Sequence, residues 1–119
     1  MIVFHQVRHG SDGECLALSG EIDISVREDL RGVLDRVVAA STGVTDLDLH
    51  DLTFLDCSGI GEFVRAYNEA QRRGHTLTVS RPRGVVRRVL ELTGVLVLLT
   101  PVPANGRARV RRSRVSSPR

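Results

Sequence analysis

Asp56-Cys57-Ser58-Gly59 puts a carboxylate, a thiol and a hydroxyl on three consecutive residues, just ahead of a stretch with helical apolar spacing. Such a position is chemically distinctive because the first backbone N–H groups of a helix have no partner within it. That end favours an anion, so it tolerates a phosphate on Ser58, which adds about −1.5 to −2 charges at pH 7. Asp56 opposes the added charge but could orient the hydroxyl. A partner packed over this end would have to desolvate the new anion, and the complex should weaken. The plain structural alternatives are a helix cap for Ser58 and a turn or cap carboxylate for Asp56. Cys57 at a helix start could have a lowered pKa and serve as a redox switch, although Asp56 pushes the other way. The simplest expectation for Cys57 is a small buried hydrophobe.

Other polar residues offer less. Glu21 and Asp23 fall in a Gly20-Glu21-Ile22-Asp23 turn whose plain structural reading is a turn with an Asp cap, and Ser25 is also placed to cap the helix that follows. Gly59 and Gly61 allow close packing at a helix start, and their spacing is not a nucleotide fingerprint. His5, His9, His50 and His75 are scattered without metal-ligand spacing. Cys15 and Cys57 are too far apart for a metal or redox pair. No convergent set of acids, bases or ligands points to an enzyme, and no cofactor is expected.

The elements that must position these residues follow from periodicity. Residues 2–7 read as a strand, Ser11, Asp12 and Gly13 as a turn, and 14–19 as a second strand with Leu16 and Leu18 on one face. From Ser25 onward, Val26, Leu30, Val33, Leu34, Val37 and Val38 keep helical spacing, and Gly43 lies at or past the helix end. Residues 44–50 read as a third strand, with a short apolar step at 52–55. A second helix presents Ile60, Phe63, Val64 and Tyr67 on one face and runs to about Arg73, closed by Gly74. Residues 76–80 form a strand, Pro82 opens a third helix, Gly94 caps it, and 95–99 read as a last strand. The expected order is β-β-α-β-α-β-α-β. This predicts an α/β fold with a mixed, mostly parallel sheet, an N-terminal hairpin, helices packed against the sheet and right-handed crossovers.

Length and composition agree with one small domain. The chain has 119 residues, 41% hydrophobic and only 3% aromatic, so Val, Leu, Ile and Ala must build the core. All 17 basic residues are arginine, which suggests the coding bias of a GC-rich genome. Six of those arginines lie in the last 13 residues, which hold no acid. The preceding 106 residues have 11 arginines against 14 acids, a net charge of −3. The basic character therefore belongs to the tail, and no nucleic-acid partner is expected. The domain is expected over 1–101, with 102–119 an Arg-rich, disordered tail. No signal pattern opens the chain and the longest apolar run is far too short to span a bilayer. Both features predict a cytoplasmic protein with reduced thiols and no membrane insertion.

Residues 47–60 read LDLHDLTFLDCSGI. Together with Gly20-Glu21-Ile22-Asp23 upstream and Leu92-Thr93-Gly94 downstream, they resemble the STAS domain, and more narrowly the bacterial anti-sigma factor antagonists. The resemblance covers about residues 1–101. It implies a regulatory protein that binds a serine-kinase anti-sigma factor and so frees a sigma factor. It also implies phosphorylation at the start of the second helix, which releases the kinase, and a phosphatase that resets the cycle. The implied partner surface comprises Glu21, Asp23 and Ser25 together with Asp56, Cys57, Ser58, Gly59, Ile60 and Phe63. One departure stands out. The family motif is usually Asp-Ser-Ser-Gly or Asp-Ser-Thr-Gly, with the acceptor directly after the aspartate, and here that residue is Cys57. Either Ser58 takes the phosphate or the protein is not regulated in this way. Two alternatives follow: an unphosphorylated STAS accessory subunit of a transporter or other regulatory assembly, and a Cys57 redox sensor.

Overall fold

A computed structural model describes residues 2–10, 13–41 and 43–100, with side chains from 14 onward. The Arg-rich tail and the turn residues Ser11 and Asp12 lie outside the described residues. The elements are β1 (Ile2–Gly10), β2 (Gly13–Ile22), a 3₁₀ turn (Ile24–Val26), α1 (Arg27–Ala40), β3 (Val44–Leu55), α2 (Cys57–Arg72), β4 (Thr76–Ser80), α3 (Gly84–Leu92) and α4 (Val95–Leu99). The four strands form one sheet in the order β1-β2-β3-β4. β1 and β2 pair antiparallel as the expected hairpin, and β2, β3 and β4 run parallel. The fold is therefore the mixed α/β architecture that the pattern predicts.

Alternation sets which face is buried. Leu16 and Leu18 of β2, Leu47 and Leu49 of β3, and Leu77 and Val79 of β4 point into one core with the apolar stripes of the helices. α1 contributes Leu30, Val33, Leu34, Val37 and Val38, spaced as its amphipathic pattern requires. α2 contributes Ile60, Phe63, Ala66 and Ala70. Val64 and Tyr67 pack at the margin of this core. Phe63 is the largest side chain buried there, as expected of a core built without tryptophan. On the other face of β3 and β4, Asp46 accepts hydrogen bonds from the hydroxyls of Thr78 (2.7 Å) and Ser80 (2.6 Å), and Asp48 pairs with Arg81.

Four expectations need correction. The first two strands run longer than the pattern predicts, because Gly20-Glu21-Ile22 continues β2 instead of breaking it. Gly20 takes a left-handed φ of 95° within the strand, a conformation that glycine adopts without penalty. The third strand and the apolar step after it are one strand. Between Ala17 and Ser19, and again between Gly20 and Glu21, β3 holds one residue more than β2. These two bulges shift the buried positions to Leu49, Leu52 and Leu55, so a strict two-residue period fails there. The expected last strand at 95–99 is the short helix α4. Five consecutive apolar residues fit either period; burial of Val95 and Leu99, four apart, shows the helical one. Gly94, at φ 79°, turns the chain between α3 and α4 and leaves β4 as a sheet edge. In the third helix, Arg83 rather than Pro82 precedes the first residue, Gly84.

Candidate functional site

Parallel pairing of β2 and β3 brings the two candidate segments together. Ile22 and Leu55 are register partners at the strand ends, and the Asp56 N–H donates to the Ile22 carbonyl oxygen at 3.2 Å. Asp23 and Asp56 therefore leave the sheet side by side. Each begins a helical turn with the same device. Asp23 Oδ1 accepts from the Ser25 N–H (2.9 Å) and from the Ser25 hydroxyl. Asp56 Oδ1 accepts from the Ser58 N–H (3.0 Å), the Ser58 hydroxyl and, more weakly, the Gly59 N–H (3.4 Å). The hydroxyl and amide of Ser25 hold the Asp23 carboxyl below its ordinary pKa.

These caps decide between the alternatives that the sequence left open. Asp23, not Ser25, caps the first helical turn, which is a 3₁₀ turn leading into α1. Asp56, not Ser58, caps α2, so the Ser58 hydroxyl is a donor to the cap and not the cap itself. A short polar side chain in extended backbone just before a helix satisfies its orphan amides, and both aspartates meet that description. Cys57 is the first residue of α2 and is exposed, which overturns the expectation of a small buried hydrophobe. Neither Cys15 nor Cys57 takes part in a disulfide.

The sequence-derived surface divides in two. Glu21, Ser25 and Cys57 are exposed, and Asp23, Asp56 and Ser58 are partly exposed around them. Gly59, Ile60 and Phe63 are buried, so they support this end from beneath and do not face a partner. Gly59 is there because nothing larger fits: a Cβ would lie 2.5 Å from both Ile22 Cγ2 and Leu55 Cδ1. The start of α2 thus rests directly on the ends of β2 and β3. Exposed Ile24, next to Asp23, and Phe54, the register partner of Glu21, add apolar area to the same end of the sheet.

Sequence reasoning missed the group that joins α1 to α2. The Glu62 side chain, 5% exposed, receives two hydrogen bonds from Arg31 (3.0 and 2.8 Å) and one from Arg65 (2.9 Å), and Arg27 lies 3.5 Å away. Arg65 also reaches Asp35 at 2.8 Å. The Arg31 hydrogen bonds, helped by Arg65, hold the Glu62 carboxyl down at about 2 against the opposing effect of burial. One signal for this cluster was present: Arg27, Arg31 and Asp35 recur every four residues on α1, and Glu62 interrupts the apolar face between Ile60 and Phe63. His50 is exposed beside Asp51 at 3.0 Å, and among the described residues no cluster of three His, Cys, Asp or Glu is arranged to hold a metal ion. No helix among them is long and apolar enough to cross a membrane.

Comparison with known proteins agrees with this geometry. Residues 5–100 match the family described as "Mlab, STAS domain". An anti-sigma factor antagonist from Mycobacterium paratuberculosis is 25% identical, with a TM-score of 0.69; the match covers 88% of this chain and 90% of that one. The Bacillus cell fate determinant SpoIIAA in its phosphorylated form is 20% identical, with a TM-score of 0.60 over 87% of this chain and 94% of its own. A sulfate transporter family protein from Wolinella succinogenes is 22% identical, with a TM-score of 0.53 over 70% of each chain. The last two likenesses are of fold. The family match spans most of the sequence and includes both capped strand ends, and on that ground the chain belongs to the STAS domain family.

Proposed function

We propose that this protein is a cytoplasmic anti-sigma factor antagonist, which binds a serine-kinase anti-sigma factor and thereby frees a sigma factor. The observation that carries the reading is the adjacency of the two Asp-x-Ser exits: Glu21, Ser25 and Cys57 form one exposed end with Asp23, Asp56 and Ser58. The likeness to the mycobacterial antagonist supports it. The end is small, polar at its centre and flanked by Ile24 and Phe54, which suits docking of a protein surface rather than enclosure of a substrate. The protein acts in this reading by binding and not as an enzyme.

Ser58 is the proposed phosphate acceptor. Its hydroxyl already hydrogen-bonds Asp56, which orients the oxygen. In the transfer, Ser58 Oγ bonds to the γ-phosphorus of ATP, the bond from that phosphorus to the ADP oxygen breaks, ADP leaves, and the hydroxyl proton passes to a base of the kinase. The product places a hydrated dianion between the two proteins and weakens the complex.

A second reading is a STAS accessory subunit that binds its assembly without phosphorylation. It is favoured by Cys57, a thiol where the family motif has its acceptor hydroxyl, and by the likeness to a sulfate transporter family protein. The two readings separate in one experiment. Serine-kinase anti-sigma factors encoded in the same genome are mixed with the protein and ATP, and intact mass is followed for wild type, Ser58→Ala and Cys57→Ala. A phosphate gained by wild type and Cys57→Ala but not by Ser58→Ala establishes the switch. Binding without modification leaves a constitutive antagonist; absence of binding to every such kinase favours the accessory subunit.

A further inference from the structure

We propose that Arg27 is the residue that receives the phosphate of modified Ser58, so that phosphorylation draws α1 and α2 together across the partner surface. The inference rests on the reading of Ser58 as acceptor. It begins from the ladder of ion pairs between the two helices. Each helix follows one strand of a parallel pair, so α1 and α2 run in the same direction. Asp35 meets Arg65, and one turn nearer the N-termini Arg31 meets Glu62. One further turn in the same direction is, by spacing, Arg27 on α1 and Ser58 on α2. On α2, Ser58, Glu62 and Arg65 are spaced by four and three residues and so lie on one stripe.

In the ladder's direct contacts three arginines, Arg27, Arg31 and Arg65, share two carboxylates, Glu62 and Asp35, while Glu28 acts on Arg31 without an ion pair. Arg31 and Arg65 already occupy both Glu62 oxygens through hydrogen bonds. Arg27 stands 3.5 Å from Glu62 as a further cation with a side chain 41% exposed. It is therefore the member of the ladder with the least to lose by turning toward a new anion. Phosphorylation also removes the hydroxyl hydrogen that Ser58 donates to Asp56, so the substituent is free to leave that carboxylate. A guanidinium offers a phosphate two parallel N–H donors. Asp56 and Asp23 raise the phosphate pKa by repulsion, while Arg27 and, behind it, Arg31 lower it. A change confined to Arg27 isolates its share.

The test uses the full chain with phosphoserine incorporated at position 58 during translation. Phosphorus NMR then follows the second ionisation of the phosphate, ordinarily near pH ~6. Replacing Arg27 by Gln is expected to raise this pKa by roughly half a unit to one unit, and Arg27→Lys to recover part of the shift. Equal titrations in wild type and Arg27→Gln overturn the proposal. A measurement on the wild type needs no folded variant: the Arg27 Nε–H resonance should move on phosphorylation and track the phosphate titration, and an unmoved resonance also overturns it. Because the phosphate is installed without a kinase, this result is independent of whether any kinase modifies Ser58. The two readings therefore fail separately.

Discussion

Two strand exits of the same design lie side by side in this domain and lead to different helices. Ile22-Asp23-Ile24-Ser25-Val26 and Leu55-Asp56-Cys57-Ser58-Gly59 match position by position in role: a buried strand end, an aspartate cap, an exposed residue and a serine donor. They part at the fifth position. Val26 has a side chain to bury, and the chain passes through a 3₁₀ turn before α1 begins at Arg27. Gly59 has none, and α2 begins directly at Cys57 with its first turn against Ile22 and Leu55. A single Cβ thus decides whether the helix start can seat on the sheet. It also explains why the second exit presents Cys57 and Ser58 on a regular helix end while the first presents Ile24 and Ser25 on a looser turn.

The largest expected effect breaks that seat. Gly59→Ala should cost about 2–3 kcal/mol in urea unfolding, because the added methyl meets two well-packed side chains. Gly61→Ala, two residues on and with open space at its Cβ, should instead stabilise by about 0.5–1 kcal/mol. Equal effects at the two glycines would refute the role given to Gly59.

Next comes the clamp that holds the two helices in register behind the exits. Glu62→Gln should cost about 2 kcal/mol at pH 7, less than a fully buried pair because the Arg27, Arg31 and Arg65 side chains are 41%, 39% and 36% exposed. The Glu62 pKa lies at about 2 in the folded protein, below its unfolded value near 4.5. Folding is therefore favoured by ionised Glu62: this stability is fully present above about pH 4.5 and is lost as pH falls through 2. The gap in urea midpoint between wild type and Glu62→Gln should narrow over that acid window. A gap that stays constant from pH 5 to pH 2 would remove the clamp from the account of stability.

The smallest effects compare the caps themselves. Asp56→Ala should cost about 1 kcal/mol, since it leaves two amides of α2 and the Ser58 hydroxyl without their acceptor. Asp23→Ala should cost less, because its carboxylate serves one amide on an exposed turn. Hydrogen exchange at Ser58 and Gly59, against that at Ser25, reads the same difference locally. Faster exchange at Ser25 than at Ser58 in wild type is the expected order.

The sequence by itself determined the strand-helix alternation as far as α3, the hairpin, the buried leucines of β2 and the family motif, because each rests on local periodicity or on neighbouring residues. It placed Asp56, Cys57 and Ser58 at the start of a helix for the same reason. Tertiary structure alone decided the rest. The bulges that carry Leu52 and Leu55 into the core depend on pairing with β2, and the helical state of 95–99 depends on which of its apolar residues find the core. Choice of cap depended on backbone direction at the strand ends, which favoured the aspartates over the serines two residues later. The Glu62 clamp joins residues 31 apart in the chain, and the adjacency of Asp23 to Asp56 follows from a register 33 residues long. No local pattern encodes a distance between two helices; only packing both on the same parallel strands brings their charges and their exposed ends together.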